Sequence, residues 1–313
     1  MDSQARFRRV SPRSWGCVTL YLLLQVQLTL AADSRIAVLY PEAKGRVAQL
    51  YATIIKGMQA DGVSIQSRAL SADTQNDDIN KWLWEEGSQA VIMLGKQGQR
   101  FSQQLNLDIP VITGAHVSIQ ADRSAVTLAA DPEQLLSVLK QLEPGIRRVH
   151  VIYSETNSGW LIERARRDAR KKGIELNAIR ADTIQASGQA LRDVLESATA
   201  QGDAIWLQLD PVLPIKPLLP EMLKVAWEKN LIIFSGNPYH VQQGILFALY
   251  PDYKQLGRQL VELSMHKISK KGQARHEPSR YLKSAINTRT ASHLGIQVSN
   301  STINDFNLVF PAR

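Results

Sequence analysis

Residues 149–176, VHVIYSETNSGWLIERARRDARKKGIEL, read as a β-strand, a polar loop, a helix and a second strand in succession. Val149, Val151 and Tyr153 stand among other apolar residues, as in a strand buried on both faces. The chain then turns small and polar over Ser154-Glu155-Thr156-Asn157-Ser158-Gly159. Leu161, Ile162, Ala165 and Ala169 recur at helical spacing, and Gly173 ends the helix. A strand, a crossover helix and a further strand predict an open α/β sheet. In such sheets ligands bind beyond the carboxyl ends of the strands. The polar run falls at that point, with a carboxylate, hydroxyls, an amide and backbone N–H groups to offer a small polar ligand.

The pattern extends in both directions. IAVLY (36–40), VSIQSRAL (63–70), AVIML (90–94) and PVITG (110–114) read as strands. Between them lies a helix carrying Val47, Leu50, Tyr51, Ile54, Ile55 and Met58 on one face and stopping at Gly62, and another capped by Asp73. Asp131-Pro132 then starts a helix, aspartate as cap and proline in its first turn. ELNAI (175–179), AIWLQLD (204–210) and LIIFSG (231–236) continue the strands, with a helix around Met222–Glu228. The predicted class is α/β, with two doubly wound Rossmann-like lobes. The remainder reads as a strand, ILFALY (245–250), a helix through Leu256, Leu260, Leu263 and Ile268, a loop at Glu277-Pro278 and a strand, LKSAIN (282–287). These extra elements must join one or both halves, so the chain should cross between lobes several times, around a cleft.

The amino terminus stands apart. Arg6, Arg8, Arg9 and Arg13 precede an apolar stretch from Trp15 to Leu30 that ends in Thr-Leu-Ala-Ala before Asp33. This is the pattern of a cleavable secretory signal over residues 1–32. Gln25 and Gln27 interrupt the stretch, which is short of the roughly 20 apolar residues of a spanning anchor. Cleavage removes four arginines, one aspartate and the only cysteine, Cys17, lowering the formal net charge from +8 to +5. A mature chain without cysteine has no disulfide framework, thiol nucleophile or thiolate metal site. Its basic residues, such as Arg164, Arg166, Arg167 and Arg170, sit on amphipathic helices without interleaved aromatics. A solvated face is therefore expected, and no nucleic-acid partner. The six histidines form no HxH or i,i+4 pair. There is no G-x-S-x-G elbow, phosphate loop or G-x-G-x-x-G run, so no catalytic set, metal or cofactor is expected.

Four stretches resemble one family in order and spacing: VHVIYSETNSGW (149–160), DAIWLQLDPVL (203–213), HVQQGILFALYPDYKQLGRQ (240–259) and SAINTRTASHLGIQV (284–298). Together they are similar to the substrate-binding components of ABC transporters, whose fold is that of the type I periplasmic binding proteins. The resemblance spans Ile36 to Phe310. It implies an exported, periplasmic receptor that closes two lobes over a small polar ligand, such as an amino acid or a related amine or carboxylate. An inner-membrane ABC permease would read the closed form; a membrane sensor is the alternative output, and a periplasmic enzyme a more distant one. No stable membrane insertion follows signal cleavage. Some members bind aromatic amino acids, and the residues holding the charged groups there match Glu155, Asn157, Ser158 and Asp210 here.

This gives lobe 1 as residues 33–129 plus 252–281 and lobe 2 as 130–251 plus 282–313. Three hinge strands are expected near Ala129–Asp131, Tyr250–Asp252 and Tyr281–Leu282. Strand ends place Tyr40, Gly95, Lys96, Ala115 and His116 on the lobe 1 side of the cleft. On the lobe 2 side they place Tyr153, Ser154, Glu155, Asn157, Ser158, Asp210, and Asn237 through Tyr239. Asp210 can meet a ligand amine or cap Pro211–Leu213. Glu155 and Asn157 can bind the ligand or satisfy the turn. Lys96 can pair with a carboxylate or remain solvated, and Trp160 can pack on a ligand or in the core.

Overall fold

The structure, a computed structural model, describes residues 34–59, 63–270 and 272–311. The expected signal segment and its cleavage site lie outside the described residues, as does Gly62. No helix among the described residues is long and apolar enough to cross a membrane.

Two sheets organise the chain. The first contains β1 (Ser34–Pro41), β2 (Val63–Leu70), β3 (Ala90–Leu94), β4 (Val111–Gly114), β5 (Ser124–Ala130) and β11 (His276–Ser279), in the order β11-β5-β4-β3-β1-β2. Every pair in it is parallel. The second contains β6 (Arg148–Tyr153), β7 (Glu175–Arg180), β8 (Asp203–Leu207), β9 (Ile232–Ser235), β10 (Phe247–Pro251), β12 (Leu282–Asn287) and β13 (Leu308–Phe310). Its order is β13-β12-β10-β9-β8-β6-β7, and β12 runs antiparallel to β10. The central strands are buried along their length: all five residues of both β3 and β8 are inaccessible. This follows from helices covering both faces, and explains why these strands read as unbroken apolar runs.

The helices are α1 (Gly45–Gly57), α2 (Asn76–Glu85), α3 (Gly95–Gln104), α4 (Pro132–Leu142), α5 (Glu155–Lys171), α6 (Ile184–Ser197), α7 (Ile215–Lys229), α8 (Pro238–Gln243), α9 (Tyr253–Ser269), α10 (Thr288–His293) and α11 (Asn300–Asn304). The chain passes between the sheets three times. After β5 it enters α4, whose Leu135, Leu136 and Leu139 join the core of the second sheet. After β10 it enters α9, whose Leu256 and Leu260 join the core of the first. After β11 it returns to β12. The crossings are tied to one another: Asp131 N donates to Ser279 O at 3.1 Å and Asp252 N to Tyr281 O at 2.9 Å. Arg164 on α5 reaches the first crossing at Asp131 (2.8 Å).

Asp131 caps α4 by accepting from Glu133 N at 3.1 Å, with Pro132 in the first turn, as the sequence predicts. Other expectations need correction. The run 154–159 is not a loop: Glu155 already begins α5, with Ser154 extended before it. Its small polar side chains are held by tertiary hydrogen bonds, which hides the helical period at that end. Helix α1 ends at Gly57, short of Gly62. Asp73 does not cap α2; Gln75 occupies the cap position without a side-chain bond. The helix read around Met222–Glu228 begins at Ile215 and contains Pro220. Glu277-Pro278 lies in β11, where an edge position and a register shift between Glu277 and Ser279 tolerate proline. Strand β5, unassigned in the sequence reading, fills the interval before the first crossing.

Candidate functional site

In each sheet one strand has neighbours that lie on opposite sides in the order of winding. In the first it is β1, between β2 and β3; in the second it is β6, between β7 and β8. The crevice beyond the carboxyl ends at such a reversal is where open α/β sheets accommodate ligands. Both reversals carry predicted site residues.

At the β1–β3 reversal a cavity of about 460 Å³ is bounded by Pro41, Tyr51, Gly95, Ala115, His116 and Leu128, with Lys96 also contributing. Gly95 opens α3 at φ +69°, and a Cβ there would collide with the Tyr51 hydroxyl, so only glycine lets that phenol lie against the turn. Tyr51 stacks at a tilt on half-buried Tyr40, with ring centroids 6.1 Å apart. Burial pushes the Tyr51 phenol pKa up. Ala115 has φ +57°, uncommon for a residue with a side chain, and it delivers His116 into the interior. His116 is only 5% exposed, and neither ring nitrogen makes a well-formed hydrogen bond, the Ser118 backbone being its one weak polar neighbour. Burial lowers its pKa to about 4, the Ser118 backbone only partly offsetting this. Lys96 is the one charged side chain on the cavity wall, and it is exposed.

At the β6–β8 reversal the polar residues bond chiefly to one another. The Asp210 carboxylate, buried beyond the end of β8, accepts from Ser154 N (2.9 Å), Ser154 Oγ (3.1 Å), Ser158 Oγ (2.7 Å) and Val212 N (3.1 Å). Gln208 Nε2 donates to Ser158 Oγ at 2.7 Å, and Asn157 Nδ2 to Ser154 Oγ at 2.6 Å. Asp210 therefore caps its own segment through Val212 and anchors the start of α5 to β8. Gln208 Oε1 is buried without a partner. Glu155 is exposed, folded back over Gly159, and its N–H donates to Asp182 at 2.9 Å. Tyr153 is packed into the core of the second sheet.

Asn237 lies after β9 and spends its carbonyl on capping α8 through Tyr239 N (3.0 Å). Tyr239 is 55% exposed. Trp160 does not open α5 but stands in its second turn. Its indole N–H donates to Asn157 O, and its ring lies 6.0 Å from that of His276 on β11.

The structure thus brings Gly95, Lys96 and His116 together in one cavity, with Tyr40 beside it, and Ser154, Asn157, Ser158 and Asp210 in one network. Sequence reasoning missed Tyr51, which its helical spacing assigned to the core, and Gln208, one residue beyond a strand end. A larger cavity, about 620 Å³, lies beside α7 and α10 at the amino ends of β9 and β10, away from these groups. Among the described residues no group of three or more His, Cys, Asp or Glu side chains is placed to hold a metal ion.

Comparison with known proteins places this architecture. Three solved structures share the fold over nearly their whole length. A conserved domain protein from Vibrio cholerae is 17% identical, covering 88% of this chain and 99% of that one, with a TM-score of 0.54. An ABC domain in complex with L-Trp from Streptococcus pneumonia is 18% identical, covering 89% and 100%, with a TM-score of 0.54. The ligand-free, open structure of a substrate-binding protein with adhesive properties from Clostridium difficile is 14% identical, covering 88% and 99%, with a TM-score of 0.58. At these identities they speak for the fold, that of the type I periplasmic binding proteins. No curated protein matches the sequence significantly. The model of the family described as ABC transporter substrate binding protein matches residues 99–306, two thirds of the sequence. The two sheets, three crossings and polar group at each reversal accord with this match, and the chain belongs to the family of ABC transporter substrate-binding proteins.

Proposed function

We propose that this protein is an exported receptor that closes two lobes over a small polar ligand and presents it to an inner-membrane ABC permease. The observation that supports this reading is a cluster of candidate residues beyond the winding reversal of each of two sheets, which the chain connects by three crossings. A ligand that touches both halves favours the closed arrangement by its differential contacts there. The hinge comprises Ala129–Asp131, Tyr250–Asp252 and Tyr281–Leu282. It divides the chain into lobe 1 (33–129 plus 252–281) and lobe 2 (130–251 plus 282–313), after a signal peptide over residues 1–32.

On lobe 1 the ligand meets Tyr40, Gly95, Lys96 and His116. On lobe 2 it meets Ser154, Glu155, Asn157, Ser158 and Asn237, with Asp210 holding the serines in place and Tyr153 packed in the core beneath them. The L-Trp bound to the streptococcal relative makes aromatic amino acids the first ligands to test. The aromatic pair Tyr40–Tyr51 supports that choice. Thermal denaturation of the purified protein against amino acids, amines, purines, sugars and carboxylates tests the reading. One chemical class should raise the melting temperature progressively with concentration. No shift with any class would refute it.

A further inference from the structure

Three features of the lobe 1 cavity point the same way. His116 is 95% shielded, yet neither ring nitrogen makes a well-formed hydrogen bond, the Ser118 backbone being near enough only to perturb the imidazole. Buried polar side-chain atoms are ordinarily paired, so an orphaned imidazole marks a place where a partner belongs. The ring is also held there deliberately. Ala115 accepts a left-handed conformation to deliver it. The His116 carbonyl receives Leu128 N at 2.9 Å, and Gln99 bonds the Ser118 carbonyl at 3.4 Å. Residues held in sparsely populated backbone regions cluster at ligand-binding sites, and Ala115 adjoins this cavity. Lastly, the cavity wall is largely apolar and aromatic, from Pro41, Tyr51, Val117 and Leu128, and contains no carboxylate.

We propose that His116 is a specificity-determining residue, whose imidazole hydrogen-bonds a ring N–H of an uncharged planar group entering the lobe 1 cavity. The assignment rests on the solute-binding reading and deepens it by naming what lobe 1 recognises. A neutral imidazole has one accepting and one donating nitrogen, so it can receive a ring N–H and return a bond to a neighbouring carbonyl or ring nitrogen. A ligand ammonium would find no carboxylate on this wall, and a carboxylate would find its only cation at exposed Lys96, where water screens it, so the buried imidazole itself disfavours charged groups. The apolar walls reward a flat ring, and the geometry requires one polar edge on it. A site built to bond an N–H discriminates strongly against an analogue lacking it, because its own polar group is then stranded.

The test uses paired probes in which ring N–H groups are methylated: indole and 1-methylindole, uracil and 1,3-dimethyluracil, adenine and 9-methyladenine. Binding is measured by calorimetry with the wild type, His116→Phe and His116→Gln. At least one N–H probe should bind the wild type ten or more times more tightly than its methylated counterpart. The preference should vanish in His116→Phe, which preserves ring shape, and persist in part in His116→Gln. Binding of an N–H probe with equal affinity in wild type and His116→Phe would overturn the proposal. So would failure of all these probes while a sugar or a simple amino acid binds, an outcome that leaves the solute-binding reading intact. Failure of every compound class would remove both.

Discussion

Replacing Asp210 by alanine separates two roles for the residue that sequence resemblance alone would merge. A carboxylate reserved for a ligand amine would leave the unliganded fold nearly indifferent to its loss. The structure instead shows it accepting from two backbone N–H groups and two serine hydroxyls, at 2.7–3.1 Å. In Asp210→Ala the serine oxygens still accept from Asn157 and Gln208, but Ser154 N, Val212 N and both serine O–H groups lose their acceptor. Each stranded donor costs about 1–3 kcal/mol, partly offset because a desolvated charge is also removed. The net expectation is a loss of about 3 kcal/mol in unfolding free energy without ligand, read from urea denaturation as a lower midpoint. Asp210→Asn keeps one acceptor oxygen and should lose about half as much. Ligand affinity should fall in both, because Ser154 and Ser158 are no longer held. A change within about 0.5 kcal/mol in Asp210→Ala, accompanied by lost binding, would refute this reasoning and make Asp210 a free ligand contact.

The His116 environment predicts a pH dependence. Its pKa is about 4 when folded against an ordinary 6.5, so between those values the unfolded chain holds more of the proton. Stability conferred by the neutral ring is complete above pH 6.5 and lost as pH falls towards 4, by about 3 kcal/mol in all. His116→Phe should flatten the wild-type profile by that amount in urea titrations at pH 7 and 4. His150 and His240, also lowered mainly by burial, contribute in the same direction in both proteins; identical slopes would contradict the burial of His116. At the contact between α1 and α9, a Cβ on Gly57 would overlap the Lys254 carbonyl, and one on Gly257 the Ile54 carbonyl. Gly57→Ala should therefore cost more than about 2 kcal/mol despite the better helix propensity of alanine, since backbone cannot rotate aside. A stabilised variant in the same denaturation assay would show that the helices are further apart.

The architecture was legible where burial is continuous. IAVLY, AVIML and AIWL are strands covered on both faces, and nothing in them competes with that reading. Asp131-Pro132 announced its helix because a capping carboxylate and a proline act locally. Legibility ended where tertiary contacts decide. The first turn of α5 has no apolar period because its small residues face the Asp210 network. The proline in β11 is tolerated only because that strand is an edge. The winding rule placed Gly95, His116, Ser154 and Asp210 beyond strand ends without any structure. It could not show that Asp210 is already bonded, since Ser154 and Ser158 lie 56 and 52 residues away in sequence. Nor could it show that Tyr51, a core residue as its spacing predicts, also borders the cavity beside the left-handed turn at Gly95.

The central claim is that a solute draws two lobes together. Small-angle X-ray scattering of the protein, titrated with the compound that most raises its melting temperature, tests this most directly. The radius of gyration should fall saturably, with a midpoint matching the calorimetric affinity. An unchanged scattering curve at full occupancy would contradict it, because the ligand would then lie on one lobe without bringing the other to it.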